Sequence, residues 1–118
     1  MDSDAAPGEG VIRFRWTLGA PVAVPEGVLA ALRTLHGAGR AHGGIGRDPD
    51  RYEGLAFGNL SVRDPASGGF WITASQRVDR PRLEPEDLVR VDAVAPDGAV
   101  HARGVHPPSS ESLCHAAV

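Results

Sequence analysis

A chain of 118 residues holds one domain of modest size. Its hydrophobic content of 42% is ordinary, but Gly 15 and Pro 10 are high beside 5% aromatics, which favours many turns and short strands over a helical bundle. A net charge of −3 and a pI near 5.9 offer nothing to nucleic acid or an anionic membrane, and no apolar run is long enough to span a bilayer.

The acidic start Met1-Asp2-Ser3-Asp4 lacks the basic and apolar regions of a secretion signal. Residues 1–10 are small, acidic and glycine-containing, and read as a disordered arm ahead of a domain over 11–118. From Val11 the pattern alternates, with Ile12, Phe14, Trp16 and Leu18 on one face and Arg13, Arg15 and Thr17 on the other. This is the signature of a half-buried strand. Pro25-Glu26 suits a helix start, and Val28, Leu29, Leu32 and Leu35 follow at helical spacing. Gly37 and Gly39 are expected to end that helix. Residues 39–51 form a glycine-rich loop, in which His42 is given no role.

Residues 55–63 read as a strand with Gly58 in its middle, where glycine marks a bulge or the close approach of a ligand. A turn over 64–69 leads into a second strand, Phe70-Trp71-Ile72-Thr73, making a hairpin that ends in Thr73, Ser75 and Gln76. Residues 77–82 are basic and irregular, either a solvated loop or an anion-facing one. A single helical turn over 83–88 comes next, acidic at its start as the helix dipole prefers. Val89, Val91 and Ala93 then alternate with Arg90 and Asp92 as a strand, Pro96-Asp97-Gly98 turns it, and residues 99–102 pair back. Finally Pro107-Pro108 stops the extended chain, and Ser109 and Ser110 supply capping oxygens for a helix running to Val118. Glu111 sits in its first turn, where it either helps cap the helix or moves protons beside an anion pocket. As a residue pattern the cap is the commoner arrangement.

Three polar clusters fall at element ends: Gly58-Asn59, Thr73 with Ser75 and Gln76, and Ser109-Ser110-Glu111. Brought together, an amide, hydroxyls and a helix start would hold a small oxygen-rich anion such as a phosphorylated sugar; taken singly, each is ordinary turn chemistry. All 12 basic residues are arginine, so imine chemistry through lysine is excluded, and carbonyl chemistry would need a metal or a hydrogen-bond cage. No metal-ligand motif is present: His101 and His106 match neither helical nor strand spacing. The single cysteine, Cys114, has no partner for an internal disulfide, which fits the cytoplasm, and no cue for nucleophilic use.

In chain order, Gly58-Asn59-Leu60-Ser61-Val62-Arg63, Ile72-Thr73-Ala74-Ser75-Gln76, Leu83-Glu84-Pro85-Glu86-Asp87-Leu88-Val89 and Pro108-Ser109-Ser110-Glu111 resemble the motifs of the class II aldolase/adducin family, from about Leu55 to Val118. The resemblance implies an α/β, three-layer fold with a largely antiparallel sheet flanked by helices, usually assembled as a tetramer. It implies a metal-dependent lyase acting on a small sugar or sugar phosphate through a zinc-stabilised enediolate. Adducin, whose head domain shares the fold without known catalysis, supplies the alternative: a non-catalytic binding or assembly module. Carried over by position, Gly58, Asn59, Ser75, Gln76, Ser109 and Ser110 would bind substrate, and Glu111 would be the catalytic acid/base. Glutamate rather than aspartate there tilts the resemblance towards aldolase or dehydratase and away from the related epimerases.

Two departures from the family accompany this. Its Thr-Pro-Ser/Thr-Gly loop reads Thr73-Ala74-Ser75-Gln76, replacing bare backbone with a bulky side chain. The family's zinc-binding His-x-His pair follows the Ser-Ser-Glu helix, so the 118-residue chain reads as truncated after about half of the domain, without tight metal binding, inactive alone and marginally folded.

Overall fold

The computed structural model describes residues 14–47, 50, 56–64 and 67–116. The expected arm over 1–10, the first residues of the strand from Val11, Leu55 and the end of the last helix lie outside them, as do the side chains of Phe57, Leu113 and Cys114. Among these residues, seven strands and two α-helices follow in chain order: β1 (Trp16–Gly19), α1 (Glu26–Ala41), β2 (Gly46–Arg47), β3 (Ala56–Phe57), β4 (Ser61–Arg63), β5 (Phe70–Thr73), β6 (Leu88–Val94), β7 (Val100–Arg103) and α2 (Ser112–Ala116).

Five of these strands form one mixed sheet in the order β1-β7-β6-β5-β4. Pairing is antiparallel from β4 through β7, while β1 joins β7 in parallel with Trp16 opposite Val100. Short turns explain two of the three antiparallel pairings. Asp64 N donates to Gly69 O and Gly68 N to Asp64 O across the β4–β5 connection, and Ala95 and Ala99 close the β6–β7 turn around Gly98, which has positive φ. Strand β6 carries a register shift between Val91 and Ala93, so the alternation read from the sequence slips there.

Side-chain alternation sorts the core onto the two sheet faces. Phe70, Ile72, Val89, Val91, Val100 and Ala102 pack on one face, joined by Phe14, Trp16 and Leu18, as their period-two spacing predicts. The Phe14 and Trp16 rings stack with centroids 5.5 Å apart. On the opposite face Trp71 and Leu88 meet Leu32, Val28 and Leu29 of α1. Leu32 is fully buried, contributing about 1.5–3 kcal/mol through the apolar surface it removes from water. Helix α1 therefore covers one face, and among the described residues the other carries only the five-residue α2.

Several expectations change. Gly37 and Gly39 do not end α1, which runs on to Ala41 and closes at His42, ahead of Gly43 with φ 75. Leu35 is nearly half exposed, and His36 takes the buried place, its Nε2 donating to Val78 O at 2.7 Å. The strand expected over 55–63 is broken at residues 58–60: β3 pairs with β2 in a separate ribbon, while β4 joins the main sheet. Gly58 marks a close approach, but by the chain itself. Its φ is 83, and a Cβ there would lie 2.2 Å from Gly44 O. In the basic loop Arg82 is exposed, while Arg77 and Arg80 turn to a carboxylate of the chain itself. Arg77 Nε donates to Asp87 at 2.9 Å, Arg80 Nε lies 3.4 Å from the same carboxylate, and Asp87 is fully buried. Asp87 also accepts from Glu84 N at 2.8 Å, capping the single helical turn that was expected here.

Candidate functional site

The site forms where β4 and its lead-in meet α2. The sheet order places β4 at an edge beside β5, and the bridge between Ala74 and Pro108 brings the chain that precedes α2 against the end of β5. Ser75 N donates to Pro107 O at 2.8 Å, fixing this crossing. Two of the three polar clusters are thus joined through backbone and the third through side chains.

A chain of hydrogen bonds runs through the centre. Leu60 N donates to Thr73 Oγ1 at 3.3 Å, Thr73 Oγ1 donates to Asn59 Oδ1 at 3.2 Å, and Asn59 Nδ2 donates to Glu111 Oε2 at 2.5 Å. Thr73 is fully buried, and its hydroxyl is committed on both sides: it accepts from Leu60 N and orients the Asn59 amide so that its NH2 faces the carboxylate. Hydrogen bonds to a carboxylate oxygen belong to the stronger class. Oε1 of Glu111 stands outside this bond, on a residue that is itself exposed. A carboxylate held at one oxygen and open at the other can take up and return a proton.

Ser109 is buried, and its Oγ accepts from Glu111 N at 3.1 Å, while its carbonyl accepts from both the amide and the hydroxyl of Ser112. Its hydroxyl thus serves the capping expected of it. Ser110 is exposed. Gln76 sits at φ 59, the left-handed conformation that favours glycine, although it is the residue that replaces the loop's glycine. Its side chain turns to β3, where Oε1 accepts from Ala56 N at 2.9 Å. Gly58 backs onto Gly44 and Ile45. The structure therefore gathers Asn59, Thr73 and Glu111, sets Ser75 and Ser109 beside them through the Pro107-Pro108 crossing, and directs the Gln76 side chain elsewhere.

Two residues escaped the sequence reading. Ser61 Oγ lies 2.6 Å from His115 Nδ1, and Arg63 NH2 donates to His115 O at 3.1 Å. The spacing Asn59-x-Ser61 opposite Glu111-x-x-x-His115 carried the signal: two steps along extended chain face two positions one helical turn apart.

The described residues do not fit a metal centre. No three His, Cys, Asp or Glu side chains among them come together around a common point. No helix among them is long and apolar enough to cross a membrane.

An edge of a mixed sheet, a helix start and an amide-held carboxylate define an α/β protein with a polar site at the ends of its strands. Residues 50–118 match the class II aldolase and adducin N-terminal domain, and the chain belongs to that family. No curated protein and no solved structure matches it.

Proposed function

We propose that this domain supplies the proton-transfer and anion-binding part of a class II aldolase-type lyase site, acting on a small sugar or sugar phosphate through an enediolate. The Asn59–Glu111 hydrogen bond carries this reading, because it joins two family motifs distant in sequence into one acid/base arrangement. Glu111 exchanges the proton on the carbon next to the substrate carbonyl. Asn59 holds that carboxylate in place, and Thr73 holds Asn59. Ser75 and Ser110, beside the Pro107-Pro108 crossing, meet the anionic end of the substrate. Zinc or another divalent metal belongs to the family's chemistry, but the described residues supply no centre for it, and no step in this reading passes through one. The reading also carries the family's three-layer fold, a domain beginning near residue 11 behind a short arm, a cytoplasmic setting and a tetramer.

The test is a titration of the 15N-labelled chain with dihydroxyacetone phosphate, with dihydroxyacetone as the unphosphorylated partner. The backbone amides of Asn59, Ser75, Ser110 and Glu111 should shift together, and the phosphorylated ligand should be the tighter. No response at these amides at millimolar concentration refutes the reading. An adducin-like binding or assembly module is the second reading. It is favoured by the Ser109 hydroxyl being committed to Glu111 N and by Gln76 standing where the family's phosphate loop has glycine. Self-association by analytical ultracentrifugation, combined with no response to either ligand, would decide for it.

A further inference from the structure

We propose that Ser61 and His115 form a positioning pair that holds Glu111 in register with Asn59. The inference rests on the reading of Glu111 as the proton carrier for its consequence, and on geometry alone for its substance.

The described part of α2, Ser112–Ala116, is a little over one turn, and a stretch of that length is oriented by what it contacts. Something in the rest of the fold must fix its rotation, because a small turn about its axis would swing Glu111 away. Two rungs do so. The first is Asn59–Glu111; the second is Ser61–His115. Along β4, Val62 packs toward α1, so Ser61 and Arg63 face the opposite side, the side of α2. Asn59 and Ser61 stand two residues apart and Glu111 and His115 about one helical turn apart, which sets the two rungs side by side. His115 N donates to Glu111 O at 3.1 Å, joining the two helical positions directly. Arg63 NH2 reaches His115 O and closes the clamp from the third position of β4. Among the described side chains of α2, Ala116 packs on the core beside Phe70, and an alanine has no side-chain shape with which to set a rotation. Ser109 anchors the start of α2, and the second rung adds a side-chain hold four residues beyond the first.

The experiment observes the side-chain NH2 of Asn59 by 15N–1H NMR in the full chain. Its two protons should be well separated in shift and slow to exchange in the wild type. Ser61→Ala and His115→Leu should each collapse that separation and raise the exchange rate by about tenfold or more, while the amides of β5 and β6 keep their shifts. His115→Asn should restore the wild-type signal, because its amide presents a donor or an acceptor near the place of Nδ1. An Asn59 signal unchanged in Ser61→Ala overturns the proposal, as does a folded His115→Asn chain that behaves like His115→Leu. If His115→Leu fails to fold, Ser61→Ala, which removes only a hydroxyl, decides alone. The readout needs no substrate. A failed sugar-phosphate titration leaves the positioning pair standing, and an unmoved Asn59 signal overturns it even where the ligand binds.

Discussion

Replacing Asp87 by alanine removes a fully buried carboxylate on which the loop after β5 depends. Three donors lose their acceptor or counter-charge: Arg77 Nε at 2.9 Å, Arg80 Nε at 3.4 Å and Glu84 N at 2.8 Å. Breaking a buried ion pair by deleting one partner costs about 3–5 kcal/mol when the remaining charge stays buried. Here the arginine side chains are 25% and 41% exposed, so water recovers part of that loss. About 2 kcal/mol remains from the charges. The uncapped Glu84 amide adds about 1 kcal/mol. The sum, about 3 kcal/mol, is a large share of a small domain's stability and corresponds to a fall in Tm of about 10 °C. Urea denaturation followed by circular dichroism measures it, with Asp87→Asn as the milder companion that keeps one acceptor oxygen. A loss below about 1 kcal/mol in Asp87→Ala would refute the reasoning, because it would mean the exposed parts of Arg77 and Arg80 already carry their charges in water.

Two further outcomes are expected. Gly58→Ala should lose about 2–4 kcal/mol, since it combines positive φ with a Cβ 2.2 Å from Gly44 O. Gly68→Ala, at φ 78 in open space, should lose only about 1 kcal/mol, and equal losses in the same urea assay would show that the contact with Gly44 contributes nothing. The second concerns pH. The Ala99 amide first, and then the Arg15 guanidinium, hold the Asp97 carboxyl below its ordinary value of 3.8. A lowered folded pKa makes the stabilisation fully present above the unfolded value and lost as pH falls through the folded one. The stability difference between wild type and Asp97→Asn should therefore be flat above about pH 5 and shrink below about pH 4. A difference that stays constant down to pH 2 would contradict this.

What could be read from the sequence was what depends on near neighbours. The alternation through Phe14, Trp16 and Leu18 survives because one face of that strand is buried and the other is not. The hairpin of β4 and β5 and the turn at Gly98 follow from local turn chemistry. The end of α1 did not follow, because glycine has two uses that look alike in sequence. At Gly39 the absent Cβ is needed within the helix, where one would sit 2.4 Å from Ile45 Cδ1. His36 displaced Leu35 from the core for a similar reason. Its partner, Val78 O, lies on a loop whose position depends on the sheet, so no helical periodicity could announce it. The site shows the same division. Its motifs were legible singly and in order, yet the pairing of residue 59 with 111 and of 61 with 115 depends on strand order and on where α2 lands.

The parallel pairing of β1 with β7 has a bearing on the order of assembly. Trp16 meets Val100, Arg15 reaches Asp97, and Thr17 meets His101, so each of these contacts spans most of the chain. During synthesis the residues of β1 leave the ribosome well before those of their partner strand. The β4–β5 hairpin can close on its own turn in the meantime, leaving the aromatic face of Phe14 and Trp16 uncovered until β7 arrives. Loops of that length close slowly, and exposed apolar strands invite wrong partners. The vulnerable interval therefore lies in the wait of β1 for β7, rather than in the formation of the site.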